Sequence, residues 1–118
     1  MTKIKQEWQN IVFNLMFMII SILIVIIFYK KIILTDILLI SLAIIGLIKW
    51  KSKLSIIIFI FFGIIFGVAE IFVSNFGPWK YEVWDLINIP SWLFILWGNT
   101  ALFIHQTIKE MKKFGVKN

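Results

Sequence analysis

The sequence predicts an all-α integral membrane protein, a compact bundle of four transmembrane helices. Three observations lead there. First, 61% of the 118 residues are hydrophobic and only 15% charged, with mean hydropathy +0.98. A soluble domain runs nearer to about 45–50% apolar and about 25% charged, so this much apolar surface cannot be hidden in so small a soluble fold. Second, the apolar residues fall into four runs, each close to the roughly 20 residues that a helix needs to cross a bilayer. Third, lysines close the runs. Four spans use up most of the chain, so residues 1–118 form one transmembrane domain with no separate soluble part.

The first run, Ile11 to Phe28, is closed by Tyr29-Lys30-Lys31 and predicts a helix over about 11–29. It is too long for the core of a cleavable signal peptide, and no small-residue cleavage site follows. The second run predicts a helix over 32–49 and is closed by Lys49-Trp50-Lys51-Ser52-Lys53. The third, 54–73, ends at Ser74-Asn75-Phe76-Gly77-Pro78. Residues 74–89 then form the most polar loop, carrying Lys80, Glu82, Asp85 and Asn88. The fourth run, about 90–108, starts at Pro90 and ends in Lys109, Lys112 and Lys113. Irregular backbone cannot face lipid, so each run should be helical despite its isoleucine content.

All twelve basic residues are lysine, against six acids, for a net charge of +6. They punctuate the apolar runs and form no single face, and arginine, the bidentate reader of phosphate and guanine, is absent. Nucleic acid is therefore excluded as a partner, and membrane lipids take its place. Nine lysines fall on the side of the termini and three on the side of the 74–89 loop. That bias predicts a multi-pass protein of the cell membrane with both termini cytoplasmic and the loop outside. With no cysteine and one histidine, His105, neither a thiolate metal site nor two-histidine haem ligation within one chain is available. No metal and no cofactor is expected.

Orientation fixes the depth of each polar residue. Glu70 lies about 24 Å along the third helix from Leu54, in the outer part of the bilayer. Gly63, Gly67, Glu70 and Ser74 share one face, and Gly63-x-x-x-Gly67 admits a close helix neighbour. Glu70 should therefore point into the bundle. As an acid held away from water it is the first candidate for catalysis by proton donation, with a structural latch to the loop as the bland alternative. Asp36 follows Thr35 at the start of the second helix, where either could act as an N-cap; Asp36 also shares a face with Ala43 and Gly46 and could pair with Glu70. On the fourth helix Trp92, Asn99 and Gln106 recur every seven residues, a polar stripe in which Asn99 suits an interhelical hydrogen bond. Trp8, Tyr29, Trp50 and Trp79 mark span ends, as interfacial anchors do. Tyr81, Trp84, Trp92 and Trp97 crowd round the loop, where aromatic faces could line a pocket for a polyene or a cation.

The order Gly67-x-x-Glu70, Gly77-x-Trp79-x-Tyr81, Ile89-Pro90-x-Trp92 and Trp97-Gly98 resembles small uncharacterised archaeal and bacterial membrane proteins. It is also similar to the carotenoid-biosynthesis membrane proteins, which include bisanhydrobacterioruberin hydratases, and more distantly to lycopene cyclase domains. The likeness covers about residues 63–98. It implies acid-initiated chemistry on an isoprenoid double bond, with Glu70 as the proton donor and Trp79, Tyr81, Trp92 and Trp97 around the cation. Cyclase domains carry paired glutamates after the proline, whereas Ser91 and Trp92 follow Pro90 here. Asp36 and Asn99 complete the substrate-binding candidates.

Three functions follow. One is a protein acting on or binding an isoprenoid or other lipid through Glu70. Another is a proton-coupled exporter, similar in plan to small multidrug resistance transporters, although those place the glutamate on the first helix. The third is a non-catalytic scaffold, as a homodimer or with a partner membrane subunit, in which Glu70 and Asn99 are interhelical glue.

Overall fold

The computed structural model describes residues 2–77 and 79–115, with side chains from residue 5 onward. Pro78 at the third break and Lys117 in the lysine bias lie outside the described residues, as does the Lys3 side chain. Four helices form the bundle: α1 Thr2–Phe28, α2 Ile32–Trp50, α3 Lys53–Phe76 and α4 Trp92–Lys113. Among the described residues the only strand-like pairing is the isolated bridge between Leu86 and Ile89.

The helix ends explain the turns. α1 stops at Phe28, and Thr35 Oγ1 donates to Phe28 O at 2.6 Å and to Lys31 O at 2.9 Å. Thr35 thus ties the end of α1 to the first turn of α2, on carbonyls that also accept backbone N–H groups of the turn. The cap expected of Thr35 or Asp36 is not made, because α2 already begins at Ile32, with Lys31 at the N-cap position and no side-chain cap. Lys51 ends α2 in the left-handed region, and Ser52 Oγ accepts from Ser55 N to start α3. Gly77 ends α3 at φ 92, a conformation that suits glycine. Asp85 Oδ1 accepts from Ser91 N at 2.7 Å ahead of α4.

Both terminal helices outrun their apolar segments. α1 begins at Thr2 instead of near residue 11, and α4 reaches Lys113 instead of 108. The extensions hold each other: Asn10 Nδ2 donates to Glu110 Oε1 at 2.7 Å, and the Trp8 and Phe114 rings lie 5.7 Å apart. The start of α1 and the end of α4 therefore meet at one end of the bundle, and residues 79–91 close the other. The start of α4 also shifts, from Pro90 to Trp92, since Pro90 and Ser91 form its lead-in turn.

α1, α2 and α3 contain segments long and apolar enough to cross a membrane, with mean hydropathy 3.1, 2.4 and 2.9. α4 differs in kind, because Asn99, His105 and Gln106 interrupt its apolar residues. It also packs against all three others, most extensively against α3. The bundle is apolar outside and small or polar within. The buried positions of α3 are Ser55, Gly63, Gly67, Glu70 and Ser74, while its isoleucines and phenylalanines are mostly exposed. That distribution suits a protein whose surroundings are lipid, where helices associate through close packing and hydrogen bonds.

α4 is tied to each neighbour by a buried amide. Asn99 Nδ2 donates to Ser21 Oγ on α1 at 3.3 Å and to Leu39 O on α2 at 3.5 Å. Gln106 Nε2 donates to Ser55 Oγ on α3 at 2.7 Å. The expected stripe of Trp92, Asn99 and Gln106 is buried throughout. Between α3 and α4 the glycines let the backbones close. A Cβ on Gly63 would lie 2.9 Å from Phe94 O, and one on Gly67 would meet the Phe94 ring.

Candidate functional site

Glu70 sits one turn and a half before the end of α3, on its glycine face, and is 9% exposed. Gly67 leaves room there for Phe94, so α4 approaches and brings Trp97 alongside. Trp97 Nε1 donates to Glu70 Oε1 at 3.3 Å. Gly77 then turns the chain back over the helix end. Trp79 Nε1 donates to Glu70 Oε2 at 3.2 Å and Tyr81 Oη to the same oxygen at 2.5 Å. Three donors from the loop and α4 thus converge on one carboxylate.

The chemistry of the donors limits what Glu70 can do. An indole N–H only donates, so both tryptophans require acceptor oxygens. Burial pushes the Tyr81 hydroxyl well above its ordinary range, and the hydrogen bond to Glu70 adds to that. The phenol therefore stays protonated and donating. As arranged, both oxygens of Glu70 act as acceptors. The same bonds latch residues 79–81 to α3, so the latch and the site are one structure.

The sequence candidates divide into two groups. Trp79, Tyr81 and Trp97 surround Glu70. Asp36, Trp92 and Asn99 lie elsewhere: Asp36 Oδ2 accepts from Ser91 Oγ at 2.7 Å, and Trp92 Nε1 donates to Tyr29 O at 3.3 Å. Asn99 makes the α1 and α2 bonds described above. These three hold the start and middle of α4 in place. Asp36 shows no hydrogen bond or ion pair with Glu70.

Two hollows flank Glu70 along the ridge of α3 marked by Phe62, Phe66, Glu70 and Ser74, four residues apart. Toward the middle of the bundle lies an apolar groove of about 380 Å³ between α3 and α4, bordered by Phe62, Phe66, Trp97, Ala101, Ile104 and His105 among others. The Trp97 ring stacks on Phe66 with centroids 4.8 Å apart and 29° between planes. One face of Trp97 thus belongs to the groove and its N–H to Glu70. At the loop end lies a polar hollow of about 340 Å³, bordered by Ser74, Asn75, Lys80, Tyr81, Trp84 and Asn88. Sequence reading missed Phe66, Asn75 and Lys80. The four-residue ridge could have revealed Phe66, whereas the others depend on how the loop folds.

A strap outside the site holds the loop to the α1–α2 turn. Tyr29 Oη donates to Glu82 Oε2 at 3.0 Å, and Lys30 Nζ lies 3.3 Å from Glu82 Oε1. The Tyr29 hydrogen bond first, then Lys30, holds Glu82 below its ordinary 4.5; Glu82 in turn raises Lys30 above 10.5. A depressed carboxylate stabilises above its ordinary value and loses that contribution as pH falls through the depressed one; the raised lysine loses its own as pH climbs past 10.5. A spin label at Val83 should therefore report a constant loop between pH 4.5 and 10.5, and a looser one in more acidic solution. Because both partners are exposed and screened, the change should be local and leave the helices intact.

No family model, curated protein or solved structure matches this chain. Its site stands on its own geometry.

Proposed function

We propose that this protein binds a lipid at the loop end of its bundle, with an isoprenoid chain as the leading candidate. The chain lies in the α3–α4 groove and the polar end reaches the Glu70 cluster. The carrying observation is Trp97, whose ring borders the apolar groove on Phe66 while its N–H holds Glu70. A ligand in the groove thus touches the residue that positions the carboxylate. The groove is apolar and one of its walls, α3, is long and apolar enough to cross a membrane, which suits a hydrocarbon chain as occupant. The resemblance to carotenoid-biosynthesis proteins motivates the choice of isoprenoid. Acid-initiated chemistry would need Glu70 to release a proton, whereas its three neighbours all donate to it. Binding is the reading that this geometry favours.

The lysine bias supports a cell-membrane protein with both termini cytoplasmic and residues 77–91 on the outer side. A lipid entering from the outer leaflet would then meet the Glu70 end first.

Native mass spectrometry with a long-chain polyisoprenol tests the reading. Wild-type protein should retain one molecule, and Ala101→Phe, which fills the groove, should weaken retention by about tenfold or more, equivalent to roughly 1.4 kcal/mol. Equal retention by both proteins at unchanged melting temperature would remove the groove as the site. Recovery of a tightly held partner subunit in place of lipid would favour the scaffold reading.

A further inference from the structure

The polar hollow at the loop end has a different character from the rest of the surface around it. Its border contains one cation, Lys80, together with the amides of Asn75 and Asn88, the hydroxyl of Ser74, Tyr81 and the indole of Trp84. No carboxylate borders it. Glu70 already accepts three hydrogen bonds, one of them from Tyr81, which borders the hollow. Among the described residues Lys80 has no ion-pair partner, whereas Lys30 is matched by Glu82 and Lys113 by Glu110. The hydroxyls of Ser74 and Tyr81 are already given to Glu70, which leaves the Lys80 ammonium, the Trp84 indole and the Asn75 and Asn88 amides as donors, a set that suits an anion.

The hollow is also built. Asn88 Nδ2 donates to Asn75 Oδ1, which ties the loop to the end of α3. Asn88 is held at φ 72 and Ile87 at φ 23 in a two-residue turn closed by Leu86 and Ile89, whose N–H groups each bond the other's carbonyl at 2.9 and 2.7 Å. Asparagine tolerates this left-handed conformation, whereas a β-branched isoleucine rarely adopts it. The surrounding loop therefore enforces a turn that places the Asn88 side chain at the hollow's edge.

We infer that this hollow takes the phosphate head of the lipid whose chain occupies the α3–α4 groove. The inference rests on the lipid-binding reading and specifies its ligand. Both hollows lie along one ridge of α3: Phe62 and Phe66 border the apolar one, Ser74 borders the polar one, and Glu70 stands between them. From Phe62 to Ser74 the helix rises about 18 Å, which suits a headgroup at the membrane surface and a chain below it.

The test compares three probes on the full chain: a polyisoprenyl phosphate, the polyisoprenol of the same length, and inorganic phosphate. Wild-type protein should hold the phosphorylated lipid about tenfold more tightly than the alcohol, or better. Lys80→Gln should erase that preference and leave alcohol binding unchanged. Lys80 is exposed, so this variant should fold normally, and Asn88→Ala should reduce the preference through an independent group. Equal binding of alcohol and phosphate by wild type overturns the headgroup assignment and leaves the lipid-binding reading standing. Failure of both lipids to bind overturns both. Inorganic phosphate binding as tightly as the lipid overturns the lipid as the phosphate's source.

Discussion

Replacing Glu70 by glutamine is expected to lower the stability of the detergent-solubilised protein by about 1–3 kcal/mol, the scale of a buried donor left without its acceptor. The substitution keeps the side chain's shape but exchanges one acceptor oxygen for an NH₂ group. Oε1 serves Trp97, while Oε2 serves Trp79 and Tyr81. Whichever way the amide faces, at least one indole N–H meets another donor. Tyr81→Phe removes a single donor and should cost about half as much. Reversible unfolding in mixed micelles checks the magnitude, and protease accessibility of residues 79–91 checks its location. A stability unchanged within 0.5 kcal/mol, roughly the size of an ordinary surface substitution, would mean the three bonds do not hold the loop.

Gly63→Ala is expected to be comparably damaging, at about 1–3 kcal/mol, because it overpacks a contact with the backbone of α4. Its new methyl would sit 2.9 Å from the Phe94 carbonyl oxygen and 3.6 Å from Gly98 Cα. Both are backbone atoms, so α4 as a whole must withdraw. Trp97 goes with it, and the bond to Glu70 weakens together with the groove. Gly46→Ala is the control. Its methyl would meet the Trp50 ring at 2.8 Å and Phe17 at 3.0 Å, side-chain atoms that can turn aside. The smaller loss expected there, in thermal melts of the two variants side by side, separates a backbone clash from a side-chain one.

The helical bundle was legible because lipid imposes a coarse rule that composition alone satisfies. The Gly63, Gly67, Glu70, Ser74 face was legible for a similar reason: helical periodicity fixes a face without knowledge of the partner. The convergence of Trp79, Tyr81 and Trp97 on Glu70 was legible only as crowding near the loop. Which of the aromatic residues would turn inward depended on Gly77 at φ 92 and on the turn at Ile87 and Asn88. Asp36 illustrates the opposite failure. Its position beside Thr35 suggested a cap, but the helix starts at Ile32, as the apolar run predicts, which puts Asp36 inside it to accept from Ser91 across the bundle. The long terminal extensions were hidden because Glu7, Asn10 and Glu110 look like surface residues until the two chain ends are placed together.

The polarity of α4 bears on how the chain is made. Helices emerge from synthesis in order, and the insertion machinery weighs each by its own apolarity, with a charged residue at the centre adding about 2.5–3.5 kcal/mol. α1, α2 and α3 satisfy that test unaided. α4, with Asn99 and Gln106 needing partners on α1, α2 and α3, does not carry its own passport into hydrocarbon. It enters as a client of the three helices already there. A chain stopped before Trp92 would leave Ser21, Ser55 and Glu70 facing lipid without their α4 partners. The place of α4 in the membrane therefore depends on the three helices made before it.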